Sequence, residues 1–466
     1  MAIIRFGAEG WRSRVDEDFT DANVCRVADA LGAAWAEAGD MGTVLVGYDT
    51  RRDARSHAAL TAEVLSSWGF DARVSEGFCP IPALGWTAAH DEDVIGAVMI
   101  GASGAPAGYQ GVCVRDANGL IAPGEFLARV ESLVPGEAPD SRGACGSAAL
   151  LDTYISELER LVDADAISAA RPRIVVDPMY GTSRGILAGM LRRLGADVIE
   201  IHGDDRTDFA GLHPRPVEPW VDDCEQAVMS SGACAGLVLD GDADRIGLVD
   251  EKGRFVSTHR LYALVMGHLV ETRGMSGRVA MPLNGSAYVR RQAKRLGCRL
   301  SVLPIGFSRT YRDMSRPDAL MAVGETGGLS IPMHFAERDA MLAALLVTEL
   351  LACSGMTASE LVEDLVQKLG SLWYGQHDLR LDPAQIQTFR NVLPGLNPPV
   401  VCGREPVAVS HADGLRMEME DGSWLLLRPS RTEALVRVYA EAGEAAERDE
   451  LLTAGCEIAR GSGWDR

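Results

Sequence analysis

Short runs of Val, Ile and Leu, each followed by a stretch with apolar residues at helical spacing, recur along much of the chain. Thr43 to Tyr48 is such a run, and Ala54 to Trp68 follows it with the period of an amphipathic helix. The rhythm returns at Arg173 to Val176, followed by Arg184 to Leu194, and at Ala235 to Leu239, where the apolar run ends in an acidic loop. This alternation predicts α/β units with parallel strands. Sheets of that kind gather their ligand sites at the C-terminal ends of strands, so the loops after these runs are where chemistry is expected. The pattern breaks near Pro135 to Gly146, near Lys252 to Ser257 and near Gly370 to Asp382. These breaks predict four domains, 1–147, 148–252, 253–370 and 371–466, the last closing with a strand over Leu435 to Glu441 and a helix over Glu444 to Arg460.

Composition narrows the possible partners. A chain of 466 residues with 47% apolar residues is too long for one ordinary core, which agrees with several domains. The formal charge of -21 repels nucleic acid and anionic membranes, so neither is expected as a partner. A phosphorylated ligand would have to be caught by local Arg clusters and backbone N–H groups. The longest apolar run, Leu261 to Val270, is interrupted by His268 and is too short to span a bilayer, and no signal peptide is visible. The ten cysteines are scattered without a Cys-x-x-Cys pair, as expected of reduced thiols in a cytoplasmic protein. Lysine occurs only at Lys252, Lys294 and Lys368; the other cationic side chains are Arg, which cannot do a lysine's acid–base work.

Four loops carry candidate chemistry. In Leu237-Val-Leu-Asp-Gly-Asp-Ala-Asp-Arg245, the carboxylates of Asp240, Asp242 and Asp244 alternate at the end of an apolar strand. Three carboxylates so close repel one another, and hard oxygen ligands suit Mg²⁺ or Ca²⁺. An EF-hand is excluded because Arg245 stands where its sharp turn requires Gly, and a strand precedes the loop. A second loop, Gly101-Ala-Ser-Gly-Ala-Pro106, surrounds Ser103 with small residues that let a hydroxyl and backbone N–H groups approach a phosphate. A third, Arg428-Pro-Ser-Arg-Thr432, offers Arg428, Ser430, Arg431 and Thr432 as donors to a phosphate dianion. In the fourth, Glu325 and Thr326 suit sugar hydroxyls, His334 and Arg338 suit a phosphate, and His334 suits proton transfer. Read singly, the serine and sugar loops are more often ordinary structural turns, whereas the arginine loop in so acidic a chain favours anion binding over a charged surface turn.

In this order the four loops resemble those of the α-D-phosphohexomutase superfamily, the phosphoglucomutases and phosphomannomutases. The likeness begins at Phe6-Gly-Ala-Glu-Gly-Trp-Arg12, similar to the family's Phe-Gly-Thr-Asp-Gly-Trp-Arg, and runs through Gly47 to Arg51, Pro80 to Leu84, Val176 to Gly181 and His213 to Glu218 into the last domain. It implies a heart-shaped α/β enzyme: three related mixed α/β domains and a smaller α+β C-terminal domain around a central cleft. It further implies an intramolecular phosphotransferase in which a phosphoserine at Ser103 exchanges phosphoryl between positions 1 and 6 of a hexose phosphate, glucose phosphate being favoured, through a sugar bisphosphate. By the same resemblance Mg²⁺ would be held by Ser103, Asp240, Asp242 and Asp244, with Arg245 beside it. Arg12 would assist near the reacting phosphate, and the loop from Arg428 to Thr432 would grip the non-reacting one. A sugar phosphate is thus the expected partner, and the chain is compatible with a monomer or a dimer.

Several positions depart from the family pattern. The serine-loop Thr-Ala-Ser-His-Asn-Pro is replaced by Gly101-Ala-Ser-Gly-Ala-Pro106, and the lysine of Tyr-Asn-Gly-Ile-Lys by Cys113. Gly-Glu-Glu-Ser-Gly-Gly can be aligned so that either Gly324 or Glu325 takes the first Glu, and Glu-Lys-Asp becomes Glu337-Arg-Asp339. Proton transfer would then fall to Cys113, His334 or Glu325. The alternatives are a mutase for an unusual sugar or cyclitol phosphate, and a non-catalytic sugar-phosphate-binding paralogue.

Overall fold

The computed structural model describes residues 3–430 and 433–461. Its first sheet has six strands in the order Gly10–Arg14, Tyr109–Asp116, Val94–Ile100, Thr43–Tyr48, Asp71–Ser75 and Gly146–Ala148. The strand Thr43–Tyr48 is buried along its whole length. Side chains alternate across a sheet, so Val44, Val46 and Tyr48 meet the helices Asp21–Ala38 and Ala54–Ser67, while Leu45 meets the helix Ile81–His90 on the other face. The inner strands pair in parallel, and Tyr109–Asp116 turns back antiparallel to both Val94–Ile100 and Gly10–Arg14.

The second sheet runs Phe255–Val256, Ile246–Asp250, Ala235–Leu239, Arg173–Asp177 and Asp197–Glu200. Phe255 and Val256 pair with Val249 and Leu248, so this sheet extends past the break read from the sequence at 252. The third sheet is shorter, with Arg299–Leu303, Arg278–Pro282, Ala319–Val323 and Leu329–Ser330. The second and third sheets share one apolar core, in which Val176, Leu237, Ile246, Val279 and Met321 belong to the same cluster as the helix Ala340–Ser354. Residues 340–351 of that helix are buried on every side, as expected of a helix apolar all round. No single helix among the described residues is long and apolar enough to cross a membrane.

The last sheet is antiparallel throughout, Trp373–Arg380, Leu435–Ala442, Trp424–Pro429, Leu415–Glu418 and Ala408–Ser410, with its own core against the helices Pro383–Val392 and Ala445–Ala459. Three α/β units and an α+β unit therefore meet, and the four loops of interest leave strand ends where they converge.

Candidate active site

The loop after Val94–Ile100 is shaped around Ser103, whose φ of 48° lies in the left-handed region. A non-glycine residue there costs of order 1–3 kcal/mol, so surrounding contacts must impose it. Arg51 does so. Its buried guanidinium donates to the carbonyls of Ser103 (2.8 Å), Ala105 (2.6 Å), Pro106 (2.7 Å) and Tyr109 (3.1 Å), and its Nε to Asp49 (3.0 Å). Asp49 also accepts the N–H of Ala102 at 3.1 Å. The result presents Ser103 Oγ to the second domain, where it donates to Asp240 Oδ2 at 3.0 Å.

The acidic loop meets it closely: a Cβ on Gly241 would lie 2.6 Å from the Ser103 carbonyl, so only glycine fits. Asp240, Asp242 and Asp244 are all buried, with ligand oxygens within 4.8 Å of one another. Asp240 Oδ1 accepts the N–H groups of Asp244 (3.0 Å) and Arg245 (3.1 Å), whereas Oδ1 of Asp242 and Oδ1 of Asp244 have no hydrogen-bond partner among the described residues. Burial, with the neighbouring Asp244 charge, pushes the Asp240 carboxyl up to about 6, and burial with its two neighbours pushes Asp242 up as well. Buried acceptors left free around crowded carboxylates fit a hard divalent cation.

Arg245 Nε lies 3.4 Å from Asp244 and 3.8 Å from Asp240. The next residue joins this loop to the sugar loop, the Ile246 N–H donating to the Gly327 carbonyl at 3.1 Å. Gly327, at φ 92°, leaves no room for a Cβ against Ile246. Glu325 and Thr326 project from the same turn, with Glu325 Oε1 accepting the Tyr439 hydroxyl at 3.0 Å. Together with Arg245, Arg338, Phe307 and Thr310 they line a cavity of about 140 Å³. Gly324 and Glu325 both line this cavity, and Glu325 supplies the carboxylate of the turn.

Arg428 and Ser430 end the strand Trp424–Pro429 and the turn beyond it; Arg431 and Thr432 lie outside the described residues. Arg428 is held by Asp413 at 3.1 Å and stands directly across the sheet from Arg437. Like charges facing across a sheet are unfavourable unless anions join them; Asp378 stands 3.9 Å from Arg437 Nε, which makes no hydrogen bond among the described residues. Arg437, Arg51 and Arg215 lie beside the candidate loops and were not singled out by the sequence reading. Arg215 Nε donates to the Gly104 carbonyl at 3.1 Å. Burial first, then the charges of Arg245, Arg12 and Arg437, lower the Arg215 pKa, so these four cations converge on one region of an otherwise acidic protein.

Two residues expected to handle protons are buried in surroundings that do not favour that role. Cys113 belongs to the apolar cluster of Leu45, Cys79, Leu84 and Met99, and burial pushes its thiol up to about 11, which disfavours the thiolate a general base would need at neutral pH. His334 lies away from the cleft loops, packed among side chains. It is buried between Trp86, Tyr154 and Phe335, and its Nε2 is 3.0 Å from Asp339, which also takes the Tyr154 hydroxyl. Arg338, read as a phosphate ligand, is already engaged by carboxylates from three domains.

The missing serine-loop histidine has a steric cause. A Cβ at Gly104 would lie 2.8 Å from Arg215 Cγ and 3.1 Å from the Pro214 carbonyl. Gly104→His is therefore expected to displace Arg215 and lower turnover rather than restore a family feature, a result that steady-state kinetics of the variant would show; raised kcat would refute it.

Sequence profiles of the phosphoglucomutase/phosphomannomutase α/β/α domains I, II and III match residues 4–139, 152–253 and 257–369, and that of the C-terminal domain matches 390–454. The chain belongs to this family. Membership makes it an intramolecular phosphotransferase of the phosphohexomutase class. A phosphoglucomutase/phosphomannomutase of Thermococcus kodakarensis is 28% identical over 97% of this chain and 98% of its own length. A protein of Methanopyrus kandleri provisionally named a phosphoglucosamine mutase is 29% identical over 98% of this chain and 97% of its own. Among solved structures, one from Thermus thermophilus, provisionally a phosphomannomutase, superposes with a TM-score of 0.87 at 29% identity, covering 99% of this chain and 100% of the other.

Proposed function

We propose that this phosphohexomutase carries phosphoryl on Ser103 and exchanges it between positions 1 and 6 of a hexose phosphate through a bisphosphate intermediate. The observation that carries the reading is the Ser103 hydroxyl, fixed in a left-handed loop by Arg51 and aimed at Asp240 beside two buried carboxylate oxygens without hydrogen-bond partners among the described residues. Asp240, Asp242 and Asp244 would hold Mg²⁺, which when bound neutralises charge on the transferring phosphoryl group. The chain's own residues do the rest by position. Arg12 on the strand beside the serine loop, with Arg215 and Arg245, supplies positive charge where phosphoryl moves. Glu325 and Thr326 orient sugar hydroxyls, and Arg428 with Arg437 grips the phosphate that does not react. A fixed distal phosphate site lets the intermediate be held in either direction, which exchange between two ends of one sugar requires.

The relatives' names divide among glucose, mannose and glucosamine phosphates, so glucose phosphate becomes one of three candidates. Incubation with Mg²⁺, a trace of glucose 1,6-bisphosphate and each 1-phosphate in turn, followed by ³¹P NMR, is expected to show conversion to the 6-phosphate for at least one. Absence of conversion for all three, in protein that ³¹P NMR shows to bind them, would overturn the reading in favour of a binding role.

A further inference from the structure

Arg338 sits where the first three domains meet. Its Nη2 is 2.9 Å from Glu9 Oε1 of the first domain and 2.9 Å from Asp244 Oδ2 of the second, and its Nε is 3.2 Å from Glu337 Oε1 of the third. The guanidinium lies over the Phe307 ring, 5.1 Å from its centroid, and the side chain is 8% exposed. Glu337 is in turn fixed by Arg115, at 3.2 Å, and by the Tyr311 hydroxyl. Glu9 stands three residues before Arg12 in the opening motif. Burial alone would raise its carboxyl, but Arg338, Arg115 and Arg245 hold it down at about 2. Arg338 is therefore a fully charged, multiply tethered group rather than one free to follow a ligand.

The consequence falls on Asp244. Its Oδ2 is occupied by Arg338, while Oδ1 makes no hydrogen bond among the described residues, Arg245 Nε standing 3.4 Å away. A carboxylate gripped by one oxygen cannot rotate the other away. We propose that Arg338, anchored by Glu9, is a positioning residue for the metal loop: it takes Asp244 Oδ2 and so turns Asp244 Oδ1 toward the cation shared with Asp240 and Asp242. The proposal rests on the metal reading given above. Because Arg338 also lines the sugar cavity, one side chain ties the opening motif, the metal loop and the sugar loop together.

Charge and positioning make opposite forecasts. Removing a cation beside a cation site should tighten metal binding if only Coulomb repulsion mattered. Removing a group that orients a ligand should weaken it, typically about 10–100-fold.

The test is Mn²⁺ binding to the unliganded full-length protein, followed by electron paramagnetic resonance and calorimetry without sugar, with thermal unfolding of each variant alongside. Arg338→Met is expected to weaken Mn²⁺ binding about tenfold or more and Arg338→Lys to recover part of the loss. Glu9→Gln, an isosteric change at a partly exposed position, is expected to weaken it less, and keeps the measurement available should Arg338→Met fold poorly. Unchanged or tighter binding in Arg338→Met, or in Glu9→Gln where the first does not fold, would overturn the positioning role provided that Asp242→Asn abolishes binding. Binding that survives Asp242→Asn would instead overturn the metal reading itself, and the positioning role with it.

Discussion

Replacing Ser103 with Ala is expected to leave a folded protein that takes up no phosphoryl group and whose mutase turnover falls about 10⁴-fold or more, ~5 kcal/mol of lost transition-state stabilisation. The fold should survive because Arg51 holds this loop through the carbonyls of residues 103, 105, 106 and 109, none of which depends on the side chain at 103. The local cost is the hydrogen bond to Asp240 Oδ2, about 1 kcal/mol. Intact mass after incubation with glucose 1,6-bisphosphate and Mg²⁺ reads the chemistry directly: one phosphoryl increment on the wild type and none on Ser103→Ala. Conversion of substrate at an undiminished rate by the variant would mean that phosphoryl travels by another route. Arg51→Met, by contrast, keeps the hydroxyl but releases the loop that aims it, so a phosphoryl increment that forms slowly in Arg51→Met and never in Ser103→Ala separates the nucleophile from its frame.

How much of this could be read beforehand depended on the distance over which each feature is decided. The strand Thr43–Tyr48, the strand Ala235–Leu239 and the acidic loop after it follow from local periodicity and charge, and appear where the pattern placed them. Ser103 was suggested by its small neighbours, yet what makes it special, the Arg51 guanidinium, is a contact across 52 residues that no local pattern encodes. Arg215, Arg437 and Glu9 escaped notice for the same reason: each acquires meaning only from a partner on another strand or domain. Cys113 misled because the strand Tyr109–Asp116 is covered on both faces, Val112 and Val114 packing with one apolar cluster and Cys113 with another. Cys113 was named because it stands where the family pattern has a lysine, and alignment alone could not tell that its side chain meets an apolar cluster. Within the break read near Lys252 to Ser257, Phe255 and Val256 still pair with the second sheet; a two-residue edge strand leaves almost no periodic signal.

Asp242→Asn should abolish activity and, in metal-free protein, raise stability. Asp242 is 4% exposed, crowded by Asp240 and Asp244, and its Oδ1 finds no hydrogen bond among the described residues. Burying that carboxylate opposes folding, since Arg245 offsets only part of its desolvation penalty and its acidic neighbours repel it. The amide is nearly isosteric and neutral, so the metal-free variant is expected to gain about 1–2 kcal/mol, a rise of a few degrees in Tm for a chain of this size. Adding Mg²⁺ should reverse the order: the wild type is stabilised in proportion to ligand occupancy, whereas the variant, with one hard oxygen ligand replaced by an amide, responds weakly or not at all. Turnover should fall about 10³-fold, because the charge of the moving phosphoryl group is no longer countered by an ion held in register with Ser103. Paired thermal scans with EDTA and with Mg²⁺, read beside the rate, distinguish this from simple damage: a variant less stable than wild type in EDTA would show that Asp242 serves the fold rather than the cation. On the proposed mechanism, a trio of carboxylates that destabilises the protein until an ion arrives would have its explanation in the reaction, where phosphoryl on Ser103 and the cation would occupy the same few ångströms at once.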